Sequence, residues 1–142
     1  MRYRFLSLLA FVMLAMTTTS SAQTARIQVI HNAADPAADS VDIYVNGTKA
    51  LDNFAFRTAS PFLTVPAGTP VTIGIAPWSS TGVSDTIASF TYTLAHDQKY
   101  LIIASGVLAP PQFAENPDNK PTGFTLLVKS GAIEAGHGGS VS

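Results

Sequence analysis

Asp35, Asp39 and Asp42 stand within eight residues of one another, with His31 and Asn32 just before them. Calcium is a hard cation that takes about six to eight oxygen ligands, and clustered Asp and Asn side chains with loop carbonyls supply them. The Asp-x-Asp-x-Asp-Gly spacing is absent, however, and no Glu stands near enough in sequence to chelate. A folding role competes with the ion. Asp35-Pro36 starts a turn, Asp39-Ser40 caps the strand that follows, and Asp42 faces solvent. Calcium is the one ion this cluster would suit, and no other cofactor is expected. His31 would serve a transition metal or act as a general base only with partners. The other histidines, His96 and His137, fall in an expected turn and tail, so no metal set forms and His31 reads as a structural side chain at a strand end.

Nucleophilic catalysis needs a serine on an elbow beside a base. Gly82-Val83-Ser84-Asp85-Thr86 fails the Gly-x-Ser-x-Gly pattern at its last position, and no Ser-x-x-Lys occurs. A glycosidase needs two carboxylates held across a cleft, and Glu115 and Glu134 lie in irregular segments with nothing to pair them. No glycine-rich loop opens a helix to cradle phosphate. No catalytic residue is therefore expected. Aromatic side chains offer binding instead. Tyr44, Trp78 and Tyr92, with Phe56 or Phe113, would make a sugar-stacking platform, and Trp78, in a polar loop, is the most suggestive. The candidate binding residues are thus Asp35, Asp39, Asp42 and Trp78.

The elements that must carry these residues have period two. Ile27 and Val29 share a face, as do Val41, Ile43 and Val45. Residues 62–65 form a short run after Pro61. Val71, Ile73 and Ile75 alternate with small or polar residues, and so do Ala88, Phe90, Tyr92 and Leu94. Residues 100–104 are continuously apolar, as a central strand buried on both faces would be, and Phe124, Leu126 and Val128 close the series. Asn46-Gly47 suits a two-residue hairpin turn in which both residues need positive φ. Its reading as a glycosylation sequon with Thr48 is secondary. Residues 66–68 and 95–98 are further turns, and residues 107–121, with four prolines, form the longest irregular segment. The expected fold is all-β, an immunoglobulin-like antiparallel β-sandwich of about seven strands, without the Cys–Trp–Cys hallmark of antibody domains.

The first residues read as an export signal. Arg2 and Arg4 precede the apolar run FLSLLAFVMLAM at residues 5–16, and Ser20-Ser21-Ala22 sets cleavage before Gln23. Twelve residues fall short of the roughly 20 needed to span a bilayer. The expected organisation is a cleavable signal at 1–22, one domain at 23–129 and a flexible Gly-rich tail at 130–142. Without residues 1–22, 120 of the 142 residues remain, enough for one core. Loss of Arg2 and Arg4 leaves 6 basic residues against 9 acidic, a net charge of −3. A weakly acidic domain without a basic cluster is a poor nucleic-acid binder. Zero cysteines remove disulfides and thiol nucleophiles.

Residues 25–47, ARIQVIHNAADPAADSVDIYVNG, carry Arg26 and Val29 in an early strand, His31, Asn32, Ala33 and Asp35 in a turn, and a Val-Asp-Ile-Tyr-Val-Asn-Gly strand-turn. Phe54-Ala55-Phe56, Ser60-Pro61-Phe62 and Val65-Pro66-Ala67-Gly68 follow. As a group these motifs, over roughly residues 25–129, resemble the secreted bacterial family called domain of unknown function 4397. The resemblance implies an extracellular or envelope β-sandwich and carries no activity with it. The expected function is that of an exported, non-catalytic binding or structural module, located in the cell envelope, periplasm or medium, whose partner is an extracellular protein or glycan. Calcium or carbohydrate binding is the alternative, and a small secreted hydrolase a third.

Overall fold

A computed structural model describes residues 21–134. Apart from its last two positions, the expected export signal lies outside the described residues, as does the tail from residue 135. The chain forms eight strands: β1 (Thr24–His31), β2 (Ser40–Val45), β3 (Thr48–Ala55), β4 (Leu63–Pro66), β5 (Pro70–Pro77), β6 (Ala88–Thr93), β7 (Lys99–Ser105) and β8 (Thr125–Ser130). They make two four-stranded sheets, ordered β4-β1-β7-β8 and β3-β2-β5-β6. All neighbouring pairs are antiparallel except β1 and β7, which run parallel from Arg26↔Lys99 to His31↔Ala104. A parallel pair cannot be closed by a hairpin. Here the chain passes through the whole second sheet between the two strands.

The fold is the expected all-β sandwich, with one strand more than the sequence pattern showed. That strand, β3, is the hairpin partner of β2 across Asn46-Gly47, whose φ angles of 49° and 82° are those the tight turn requires. It lies at a sheet edge and leaves most of its residues exposed, so it has no alternating apolar signature.

Inward-facing residues of both sheets fill the space between them. Ile27, Val29 and Ile102 from one sheet meet Ile43, Ile73 and Ile75 from the other, all at most 2% exposed. Each such side chain contributes about 1.5–3 kcal/mol on burial. Residues 100–104 do form a central strand, but one buried on a single face. Ile102 and Ala104 point into the core, while Leu101 and Ile103 are half-buried on the outer side. Their shielding comes sideways from cross-strand neighbours, Ile30 and Leu127 beside Ile103, because none of the described residues forms a second layer over this sheet. Residues 131–134 turn back on β7. The N–H groups of Gly131 and Ala132 donate to the Lys99 carbonyl, and Glu134 pairs with Arg26 and Lys99.

Strand directions sort the connections by length. The turns at 46–47, 67–69 and 94–98 lie at one end of the sandwich, while the connections 32–39, 56–62, 78–87 and 106–124 all lie at the other. At the root of the longest loop, Gly106 adopts a φ of 88°, and a Cβ there would sit 2.3 Å from the Gly123 carbonyl oxygen. Only glycine lets the two legs close so tightly. Among the described residues no helix is long and apolar enough to cross a membrane.

Candidate functional site

The three aspartates of the acidic turn have three different environments. Asp35 is 5% exposed and caps the single 3-10 turn Pro36–Ala38. Its Oδ1 accepts from the Ala37 N–H at 2.8 Å, and its Oδ2 accepts from the Leu108 N–H at 2.7 Å. It therefore staples the loop at 32–39 to the base of the loop at 106–124. Asp39 is exposed, and its carboxylate takes no hydrogen bond or ion pair from the described residues.

Asp42 does not face solvent, as strand alternation alone suggested; it is fully buried. The face it occupies is outward with respect to the core, but the loop at 78–87 folds over that face and seals it. Its Oδ2 accepts from Ser80 Oγ at 2.5 Å and Lys49 Nζ at 2.6 Å, and its Oδ1 from the Asn53 N–H at 2.9 Å. The Tyr44 hydroxyl lies 2.9 Å from Ser80 Oγ, which completes a chain of donors ending on the carboxylate. Burial pushes the Asp42 pKa up. The hydrogen bonds from Lys49, Ser80 and Asn53 outweigh it and hold the group below the usual carboxylate range. Hydrogen bonds from Lys49 to Asp42 and Asp52 hold the ammonium firmly protonated. Lys49 is thus no general base for Ser80, and the Ser80 proton is committed to Asp42.

This network positions two walls of a groove. The Asn53 N–H is available because β3 is bulged: the β2–β3 register shifts twice between Val41 and Tyr44, and Asn53 takes a φ of 50°. Ser80, whose N–H donates to the Pro77 carbonyl, fixes the turn that carries Trp78. The resulting shallow cavity, of about 360 Å³, is lined by Trp78, Asn53, Asp39, Ser40, Pro36 and Ala37. Trp78 is 62% exposed. On the other side of the Pro36–Ala38 turn lies a second depression of about 450 Å³, between Asp35, Asp39 and Phe56. A third, of about 630 Å³, is enclosed within the loop at 110–122, beside Phe113, Glu115 and Lys120. All three lie at the end that bears the long loops.

His31 is the buried structural histidine the sequence suggested. It is 0% exposed, its Nε2 lies 2.7 Å from the Ala38 carbonyl, and its Nδ1 accepts weakly from the Ala33 N–H at 3.4 Å. Phe54 and Phe56 pack against the ring. Burial lowers its pKa, which favours the neutral form that donates to Ala38. The aromatic platform of Tyr44, Trp78 and Tyr92 does not assemble. Tyr44 is buried beneath the loop at 78–87, and the half-buried Tyr92 donates its hydroxyl proton to the Leu126 carbonyl. Asp85 spends its carboxylate on Thr81 and Gly82 within its own loop, and Glu134 is paired with Arg26.

The structure therefore joins Asp39 and Trp78 in one groove, sets Asp39 beside Asp35 in the second depression, and buries the Asp42 carboxylate under the loop at 78–87. Among the described residues no three His, Cys, Asp or Glu side chains gather around a common point, and every buried side-chain nitrogen or oxygen has a partner. Sequence reasoning missed Asn53, Ser40 and Pro36 as groove residues, and Lys49 and Ser80 as the ties beneath it. The hairpin turn held part of the signal, since pairing outward from Asn46-Gly47 sets Tyr44 opposite Lys49. Residues 25–125 match the model of a family described as Domain of unknown function (DUF4397). No curated protein matches the chain.

Proposed function

The chain belongs to the DUF4397 family, and on that premise we propose that it is an exported, non-catalytic module that binds its partner with the loop-bearing end of the sandwich. One observation carries this reading: among the described residues, the four long connections, the three depressions just described and the exposed Trp78 all collect at that end. A rigid sandwich presenting its variable connections on one side is a recurrent binding arrangement. Side chains capable of acid–base or nucleophilic work, His31, Asp42, Lys49 and Ser80, are engaged inside the fold. Those left open in the groove, Trp78, Asp39, Ser40 and Asn53, are suited to stacking and hydrogen bonding. This reading assigns no ion to the acidic turn: Asp35 and Asp42 accept hydrogen bonds from Ala37, Leu108, Asn53 and Ser80.

The partner belongs to the extracellular space or the cell envelope. Co-sedimentation of the purified domain with isolated bacterial envelope material tests the reading. The wild type and a Gln98→Ala variant, altered at the short-turn end, are expected to sediment alike, and Trp78→Ala and Asp39→Ala to remain in solution. Equal sedimentation of all four proteins, or of none, would overturn it.

A further inference from the structure

We infer that the groove between Trp78, Pro36 and Asn53 is a binding site for a neutral saccharide. The inference rests on the loop-end reading and adds the chemistry of the ligand. Trp78 is the only tryptophan in the chain, and its ring is left 62% exposed on a backbone that is held on both sides. Pro77 before it pairs with Val41 in the sheet, and Ser80 after it is bonded to Asp42. An aromatic face fixed in place costs little further ordering when a ligand stacks on it. Its natural complement is a ring with one face of C–H groups.

The polar side of the groove is rich in acceptors. Asp39 presents carboxylate oxygens, which accept hydrogen bonds, and none of the described residues bonds to them. The Asn53 amide nitrogen donates one proton to Asp52 at 3.0 Å, which leaves its carbonyl oxygen and a second N–H free. Ser40 adds a hydroxyl that can give or accept. A ligand for this groove must therefore bring several donors beside an apolar ring face. Adjacent sugar hydroxyls on a pyranose do so. A proline-rich segment would also stack on tryptophan, but proline carries no N–H to give.

Charge narrows the class further. Among the described residues no lysine or arginine lines the groove, and the nearby Lys49 is occupied by Asp42 and Asp52. Asp39 repels phosphate, sulfate and uronic carboxylates, so the sugar is uncharged. The cavity, about 360 Å³ and open along one side, takes a ring or two of a longer chain.

Because Trp78 is the sole tryptophan, its fluorescence reports on this groove alone. Purified domain is titrated with cello-, xylo-, manno-, malto- and chito-hexaose, with decaproline as a parallel arm. At least one hexaose is expected to shift the emission to the blue in a saturable way. Calorimetry on that sugar should show affinity falling by about tenfold or more in Trp78→Ala and in Asp39→Ala, with Trp78→Phe intermediate and all melting temperatures close to wild type. No shift with any hexaose would overturn the saccharide assignment, and so would sugar binding that survives in both alanine variants. A shift with decaproline alone would likewise overturn it, yet would leave the loop-end reading standing. Envelope co-sedimentation fails only if that broader reading is wrong.

Discussion

Replacing Asp42 by Ala leaves the buried Ser80 hydroxyl and the part-buried Asn53 N–H without their acceptor. Each orphaned group costs about 1–3 kcal/mol. Ser80 keeps its contact with Tyr44, which softens its share, and Lys49 reaches solvent and is left out of the sum. The loss therefore comes to about 3 kcal/mol, which for a domain of this size lowers Tm by roughly 12 °C. Asp39→Ala removes a carboxylate of the same type three residues away with no partner to lose, and should stay within about 0.5 kcal/mol of wild type. The pH dependence follows from the depressed Asp42 pKa. A carboxylate lowered on folding adds stability above its unfolded value, near 3.9, and that stability is lost as pH falls through the folded pKa. Asp42→Ala should accordingly show a flatter acid limb below about pH 4. Thermal melts followed by circular dichroism at pH 7 and across the acid range measure both effects. A loss below about 1 kcal/mol, or equal losses for Asp42→Ala and Asp39→Ala, would refute the buried network as the tie beneath the groove.

Asp35→Ala releases the Leu108 N–H as well as its own cap. It should cost about 2 kcal/mol and speed chymotryptic cleavage after Phe113 in the loop it anchors; cleavage at the wild-type rate would count against the staple. Burial lowers the His31 pKa, so the folded state disfavours the proton that the unfolded chain binds near pH 6.5. The stability present above that pH should fall as pH drops toward the depressed folded value, and His31→Gln should remove this part of the profile, as melts at pH 7.5 and 5.5 would show. Millimolar calcium should leave the wild-type melting curve unchanged, and a rise in Tm on adding calcium alone would reopen the acidic turn as an ion site.

Seven of the eight strands are legible: five keep period two because one face lies in the core and the other in a less apolar setting, β4 shows as a short run after Pro61, and β7 as a continuous apolar run. β3 is not, because an edge strand with a bulge has little to bury and keeps no period; only the Asn46-Gly47 turn announces it. Asp42 was misplaced for a related reason. Alternation tells which sheet face a side chain occupies, and Asp42 does lie on the face away from the core, but whether a distant loop covers that face depends on where Ser80 folds, 38 residues later. The same limit hid Asn53 and Ser40, common residue types whose meaning comes only from standing beside Trp78. Trp78 itself was readable as a candidate, since a lone tryptophan among Ser, Thr and Gly has no apolar neighbours to pack with. The acidic turn looked like one site and is three: a staple, a buried tie and one open carboxylate.

The affinity of Trp78→Ala for envelope material, taken beside its melting temperature, tests the loop-end reading most directly. A fall of roughly tenfold or more with an essentially unchanged Tm is expected, since most of the side chain is exposed. Wild-type affinity in that variant would contradict it.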